Sequence, residues 1–252
     1  YIYPYTILAD LIIKKIHIDV EVTGAKDVVI NNSIGPLDPN NTFQPFGPIP
    51  AAGSYFITGN FEAARKQVNK FNVNIEWGGL PLDKTGFKGY YKSYEPYFDN
   101  YVFKVKTSFL KGGKWTPEND DNAHHINLFK DASLKDMSVS KNIKIEPDLE
   151  NLFKPLDKDI KKSDFTYDIW AESGFFRFTL SDPSYAFGHN LYPALLAEVL
   201  TENAKRKLRK PLPVPNTPYT PVINRITIDY TASTTLNMDK KDLKKPKRYS
   251  SK

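Results

Sequence analysis

The 252-residue chain has no cysteine, two methionines and four histidines. The missing cysteine rules out disulfides, thiolate nucleophiles and zinc sites built on cysteine. It fits assembly in a reducing compartment, where disulfides are rare. Long apolar runs are also missing. The best candidate, around Ile7 to Ile13, is broken by Asp10 and followed by Lys14 and Lys15. It falls well short of the roughly 18 residues that signal a membrane span. No signal peptide is visible. The chain starts at Tyr1 and not at methionine, so the sequence is expected to be a segment of a longer protein.

What is abundant points to sheet. Tyrosine (15) and phenylalanine (16) favour strands, and 19 prolines with 13 glycines supply turns. The net charge is +6, but the last fourteen residues (DKKDLKKPKRYSSK) hold seven basic and two acidic groups. The basic character is therefore mainly a property of this tail, and the body is close to neutral.

Strict alternation marks several strands. Ile16, Ile18, Val20 and Val22 share one face, with Lys15, His17, Asp19 and Glu21 on the other. Asp27 to Ile30 reads as a return strand after a turn at Thr23 to Ala25. Tyr55 to Thr58, Val73 to Trp77, Tyr101 to Phe109, Met137 to Pro147, Phe165 to Leu180 and Arg225 to Tyr230 also read as strands. Gly112-Gly113 predicts a hairpin turn.

Two helices are expected. Asn60 is a good N-cap for a helix over 60–70, with Phe61, Ala64, Val68 and Phe71 on its apolar face. A longer helix over 191–207 carries Tyr192, Leu195, Leu196, Val199 and Leu200 as a stripe, with Asn190 as cap and Pro193 in the first turn. A third helical turn fits the tyrosines after Phe87. Residues 211–221 hold five prolines. Such a segment is an extended spacer of about 3.1 Å per residue, roughly 30 Å in all.

The expected fold is mainly β (α+β): antiparallel, sandwich-like sheets with two or three helices, elongated, in one body or two lobes. In the two-lobe form, 1–150 makes a β-rich lobe. Residues 165–235 make a second lobe with the long helix and the proline arm. Residues 236–252 form a basic tail.

Candidate chemistry is sparse. His124 and His125 are adjacent, so their side chains diverge on a strand and do not converge on a metal. His189 lies five residues after Ser184, but no nucleophile elbow surrounds either residue. Gly112-Gly113-Lys114 lacks the upstream glycine of a phosphate loop. Glu76, Glu95 and Glu172 form no pattern that sets a catalytic separation. Tyr90, Tyr91, Tyr94 and Trp115 are candidates for stacking on sugars or bases, with packing in a sheet core as the simpler alternative.

One set of landmarks carries a resemblance. It comprises FQPFGP (43–48), GSYF (53–56), WGGLP (77–81), Tyr90-Tyr91, AFGH (186–189), Tyr192-Pro193 and PYTP (218–221), followed by the 226–230 strand. In order and spacing it resembles baseplate wedge proteins, the baseplate J-like proteins of phage-tail-like contractile injection systems, Bacteroidetes type. Members of that family are usually longer. The resemblance implies a structural scaffold with no catalytic residues, cofactor or metal. It implies other wedge subunits and sheath-initiating or hub proteins as partners, in a six-fold hetero-oligomer, with no nucleic-acid partner. It also implies cytoplasmic assembly followed by incorporation into the particle. The residues expected to support that scaffold or its contacts are Phe43, Phe46, Tyr55, Trp77, Tyr90, Tyr91, His189, Tyr192, Pro218 and Tyr219. A carbohydrate-binding β-sandwich is the alternative reading.

Overall fold

The computed structural model describes residues 13–81, 85–116, 124–129, 139–145, 155–157, 159–206 and 209–238. The basic tail beyond 238 lies outside them. The fold is mainly β, in two antiparallel sheets with three α-helices among the described residues.

The first sheet orders its strands β1 (Lys15–Ala25), β11 (Val222–Asn237), β5 (Val68–Gly78) and β9 (Val139–Ile145). The second runs β3 (Pro36–Leu37), β2 (Val29–Asn32), β4 (Tyr55–Gly59), β10 (Ser173–Asp182), β6 (Lys104–Lys111) and β7 (Lys114–Thr116), with β8 (His124–Asn127) also on β6. The sheets meet face to face. Phe71 of β5 stacks on Phe176 of β10 with ring centroids 4.0 Å apart. Val73, Ile75, Ile226 and Ile228 from one sheet and Phe56, Phe178, Val105 and Phe109 from the other join a single buried core. This is the two-layer solution for sheets that are apolar on one face.

The strands do not sort into the two expected lobes. β10 lies between β4 and β6, and β11 lies between β1 and β5. Residues 165–235 therefore supply a central strand to each sheet. The physical reason is pairing. β11 forms long antiparallel ladders with both neighbours, and these satisfy its backbone groups on both edges.

Local expectations fare unevenly. Asn60 caps as expected, its Oδ1 accepting from the Ala63 N–H at 2.8 Å. The helix it starts, α1, spans only Phe61–Ala64. Val68 and Phe71 belong to β5, which pairs from Val68 to Gly78 with β11. A short isolated helix is marginal, and the ladder wins. The 27–30 segment does not return along β1. Val29–Asn32 pairs with β4 and β3 in the other sheet. Residues 165–172 precede β10 and are not strand. Gly112 and Gly113 make the expected hairpin turn, both at positive φ (57° and 74°), a region open to glycine at no steric cost.

Candidate functional site

The tyrosine-rich segment begins with α2 (Phe87–Tyr90) and coils on through Phe98. Its rings pack continuously. Tyr91 stacks on Phe98 at 4.1 Å and Tyr94 meets Tyr91 edge-on at 4.9 Å. Phe87 touches Phe103, Phe129 and Tyr219. Phe103 in turn stacks on Phe187 at 4.5 Å. Aromatic pairs of this kind contribute beyond their buried area.

The hydroxyls at the rim hold the proline arm. Tyr90 donates to the Thr217 carbonyl at 2.9 Å, and Tyr94 to the Asn216 carbonyl at 2.6 Å. Asn216 Nδ2 donates back to the Tyr90 carbonyl. The buried Tyr91 hydroxyl donates to the Phe187 carbonyl at 2.9 Å and accepts the Tyr219 N–H at 2.8 Å. Tyr219 donates its own hydroxyl to the Gly78 carbonyl at 2.8 Å. Burial raises the pKa of Tyr91, Tyr94 and Tyr219, so all three remain neutral donors. Proline has no N–H, and its ring fixes φ. The arm thus offers carbonyls in a pre-set extended shape, and the tyrosines supply the donors.

A tight turn over 183–188 feeds the long helix. Ala186 and Gly188 lie at positive φ (48° and 82°). A Cβ on Gly188 would sit 3.2 Å from Tyr94 Cε1 and 3.3 Å from Phe98 Cζ. The N–H groups of Leu191 and Tyr192 both donate to the Gly188 carbonyl. The chain coils before the expected cap. Leu191, not Asn190, occupies the N-cap position and makes no side-chain capping bond. His189 Nε2 lies 2.9 Å from Thr220 Oγ1, and its Nδ1 is buried without a hydrogen-bond partner. Burial lowers its pKa, which favours the neutral ring.

Helix α3 (Tyr192–Lys205) follows, with Tyr192 and Leu195 packed against the core. None of its fourteen residues is buried. Leu195, Leu196 and Val199 are half-covered, and Leu200 is 52% exposed. The arm returns beside it. Asn203 Oδ1 accepts the Leu212 N–H at 2.7 Å and its Nδ2 donates to the Leu212 carbonyl at 3.0 Å. Val214 on the arm is also exposed. Helix and arm together form a projection with an apolar flank, and Arg209 and Lys210 are exposed at its turn.

The structure brings Tyr90, Tyr91, Tyr219 and Pro218 together at the base of this projection, with His189 and Tyr192 beside them. Phe43, Phe46 and Trp77 serve the core. Phe43 exchanges backbone bonds with Ile223, Phe46 packs edge-on against Phe56, and Trp77 packs on Phe129. All three are buried, as are Tyr91 and Tyr219, so none of these five offers a surface to a partner. Tyr55 lies elsewhere, on the outer face of the second sheet beside Arg177.

Two hydroxyl–histidine contacts test the search for chemistry. Ser181 Oγ and Asp182 Oδ2 both approach the same nitrogen of His125, Nδ1, at 3.2 and 3.3 Å. A catalytic relay needs the hydroxyl and the carboxylate on opposite ring nitrogens. Ser184 is absent from the hydrogen bonds of His189, whose hydroxyl partner is Thr220. No carboxylate among the described residues bonds that ring. Among the described residues, no three His, Asp or Glu side chains cluster in a way that could hold a metal ion. No helix of these residues is long and apolar enough to cross a membrane.

Three of the four stacking platforms expected from sequence are occupied, and Tyr90 is half-buried. Tyr91 and Tyr94 are buried, and the Arg177 guanidinium covers Trp115 at 4.6 Å. Sequence reasoning missed the most open aromatic among the described residues. Trp170 is 81% exposed and lines a cleft of about 610 Å³ with Asp164, Asp168, Glu172 and the stacked pair Phe165 and Phe175. Its only signal was an isolated tryptophan among acidic residues. No family model matches the chain, and no curated protein matches it.

Proposed function

We propose that the chain is a non-catalytic assembly protein, a baseplate wedge component of a phage-tail-like contractile injection system. The observation that carries the assembly role is α3, fourteen residues long with none buried and an apolar stripe running to the exposed Leu200. A helix with such a stripe normally lays it on a core. Here Tyr192 and Leu195 pack against the core at the start of the helix, and the stripe opens towards the exposed Leu200, which suits insertion of that end into a neighbouring subunit. The step from assembly protein to baseplate wedge rests on the sequence landmarks. On this reading the partners are other wedge subunits and sheath-initiating or hub proteins, in a six-fold hetero-oligomer. Assembly takes place in the cytoplasm before the particle is deployed. The genes flanking the full-length gene test this step. Sheath, tube and spike genes are expected there, and a neighbourhood without any of them removes the reading.

The second reading, a carbohydrate-binding module, is favoured by the Trp170 cleft. An open indole offers a stacking face, and Asp164, Asp168 and Glu172 are acceptors suited to sugar hydroxyls. A glycan array separates the two readings. Binding that disappears in Trp170→Ala supports the carbohydrate reading, and a blank array removes it.

A further inference from the structure

Edge strands present unpaired backbone groups, and folded proteins normally blunt them with proline, bulges, short length or covering segments. The second sheet follows this pattern. β3 has two residues and contains Pro36, and β7 has three. The first sheet is blunted only towards the end of β1, where the register shifts between Val22 and Ala25. Among the described residues β1 is an edge, eleven residues long, paired only with β11. It has no proline, and its register is regular from Lys15 to Val22. Its apolar face is also under-covered. Ile18 is 41% exposed, and the neighbouring Leu236 on β11 is open as well.

The charges on β1 are arranged about its middle. Lys15, His17, Asp19 and Glu21 share one face. In an antiparallel pair centred on Ile18, Lys15 falls opposite Glu21 and His17 opposite Asp19 of the other strand. On the apolar face Ile16 falls opposite Val20, and Ile18 meets its own counterpart. Shifting the centre to Asp19 sets two aspartates against each other. Shifting it to His17 sets two histidines together and leaves Glu21 facing Ile13. A half-step shift sets the apolar face against the charged one. The favourable register is thus one of self-recognition.

We propose that β1 pairs antiparallel with β1 of a second copy of this chain, about a two-fold axis at Ile18, joining two four-stranded sheets into one. Such an interface is isologous, so each favourable charge pair occurs twice. This inference is independent of the wedge reading, because the gene neighbourhood has no bearing on it and dimer formation has none on the wedge.

The absence of cysteine gives a clean test. In the pair, residues at position 18 lie within about 5.5 Å of each other, Cα to Cα, inside the range a disulfide spans. Residues at position 16 lie roughly 13 Å from their counterparts, beyond that range. Under mild oxidation the Ile18→Cys chain is expected to form a covalent dimer, and Ile16→Cys to form none. Light scattering of the unmodified chain should show a dimer at tens of micromolar. Lys15→Glu sets two like-charge pairs in place and should weaken that dimer roughly tenfold. Adding Glu21→Lys should restore it. Lys15 and Glu21 are exposed, and circular dichroism confirms that the variants fold. A chain that stays monomeric, equal cross-linking at positions 16 and 18, or a double variant that fails to recover would each overturn the proposal.

Discussion

The tyrosine-rich segment 87–103 and helix α3 are both rich in apolar side chains, yet they meet opposite surroundings. Phe87, Tyr91, Tyr94, Phe98 and Phe103 are buried, whereas no residue of α3 is fully buried. The segment has rings on both sides and carbonyls at its rim, so every hydroxyl of its buried tyrosines is used. The helix meets the core through the half-covered Tyr192 and Leu195 at its start, and the proline arm runs beside its far end, joined through Asn203. One region is a base and the other is presented by it. Substitutions should therefore damage folding in the first and leave it alone in the second.

Tyr91→Ala should have the largest effect. It empties a buried ring site and removes two hydrogen bonds, and should lower unfolding free energy by about 3–5 kcal/mol, measured by denaturant titration. Tyr91→Phe keeps the ring but leaves the Tyr219 N–H and the Phe187 carbonyl without their partner. A loss of about 1–3 kcal/mol is expected in the same measurement. Equal losses for the two variants would mean that the hydroxyl, and not the ring, holds the base together.

His189 gives a smaller, pH-dependent effect. Burial lowers its pKa in the fold, so the unfolded chain binds the proton more readily. Its stabilising contribution is complete above the unfolded value of about 6.5 and declines as pH falls below it. Melting temperature should therefore fall between pH 7.5 and 5 more steeply for the parent chain than for His189→Gln. Parallel curves would place the proton elsewhere.

Parts of this contrast are legible in the sequence. The alternation of β1, the Asn60 cap, the Gly112-Gly113 turn and the stripe of α3 follow from local patterns. The length of α1 does not, because Val68 and Phe71 fit helical spacing while also serving as strand positions. The choice is made by β11, more than 150 residues away. Nor does the sequence show that β2 leaves β1 for the other sheet. At the site, Tyr90, Tyr91 and Tyr219 stand out by type, but the bond from Tyr219 N–H to Tyr91 crosses 128 positions. The exposure of α3 is hidden for the same reason. An amphipathic stripe announces a partner without saying whether the partner is in the same chain.

Leu196→Asp with Leu200→Asp tests that question most directly. Leu200 is exposed and Leu196 half-covered, so unfolding free energy should change by about 0.5 kcal/mol at the first and by no more than about 1 kcal/mol at the second. The parent chain, co-expressed with the products of the genes that flank it, should co-elute with at least one of them. The double variant should elute alone with its melting temperature little changed. A parent chain that associates with none of those products, or a double variant that loses several kcal/mol of stability, would contradict the account of α3 as a presented interface.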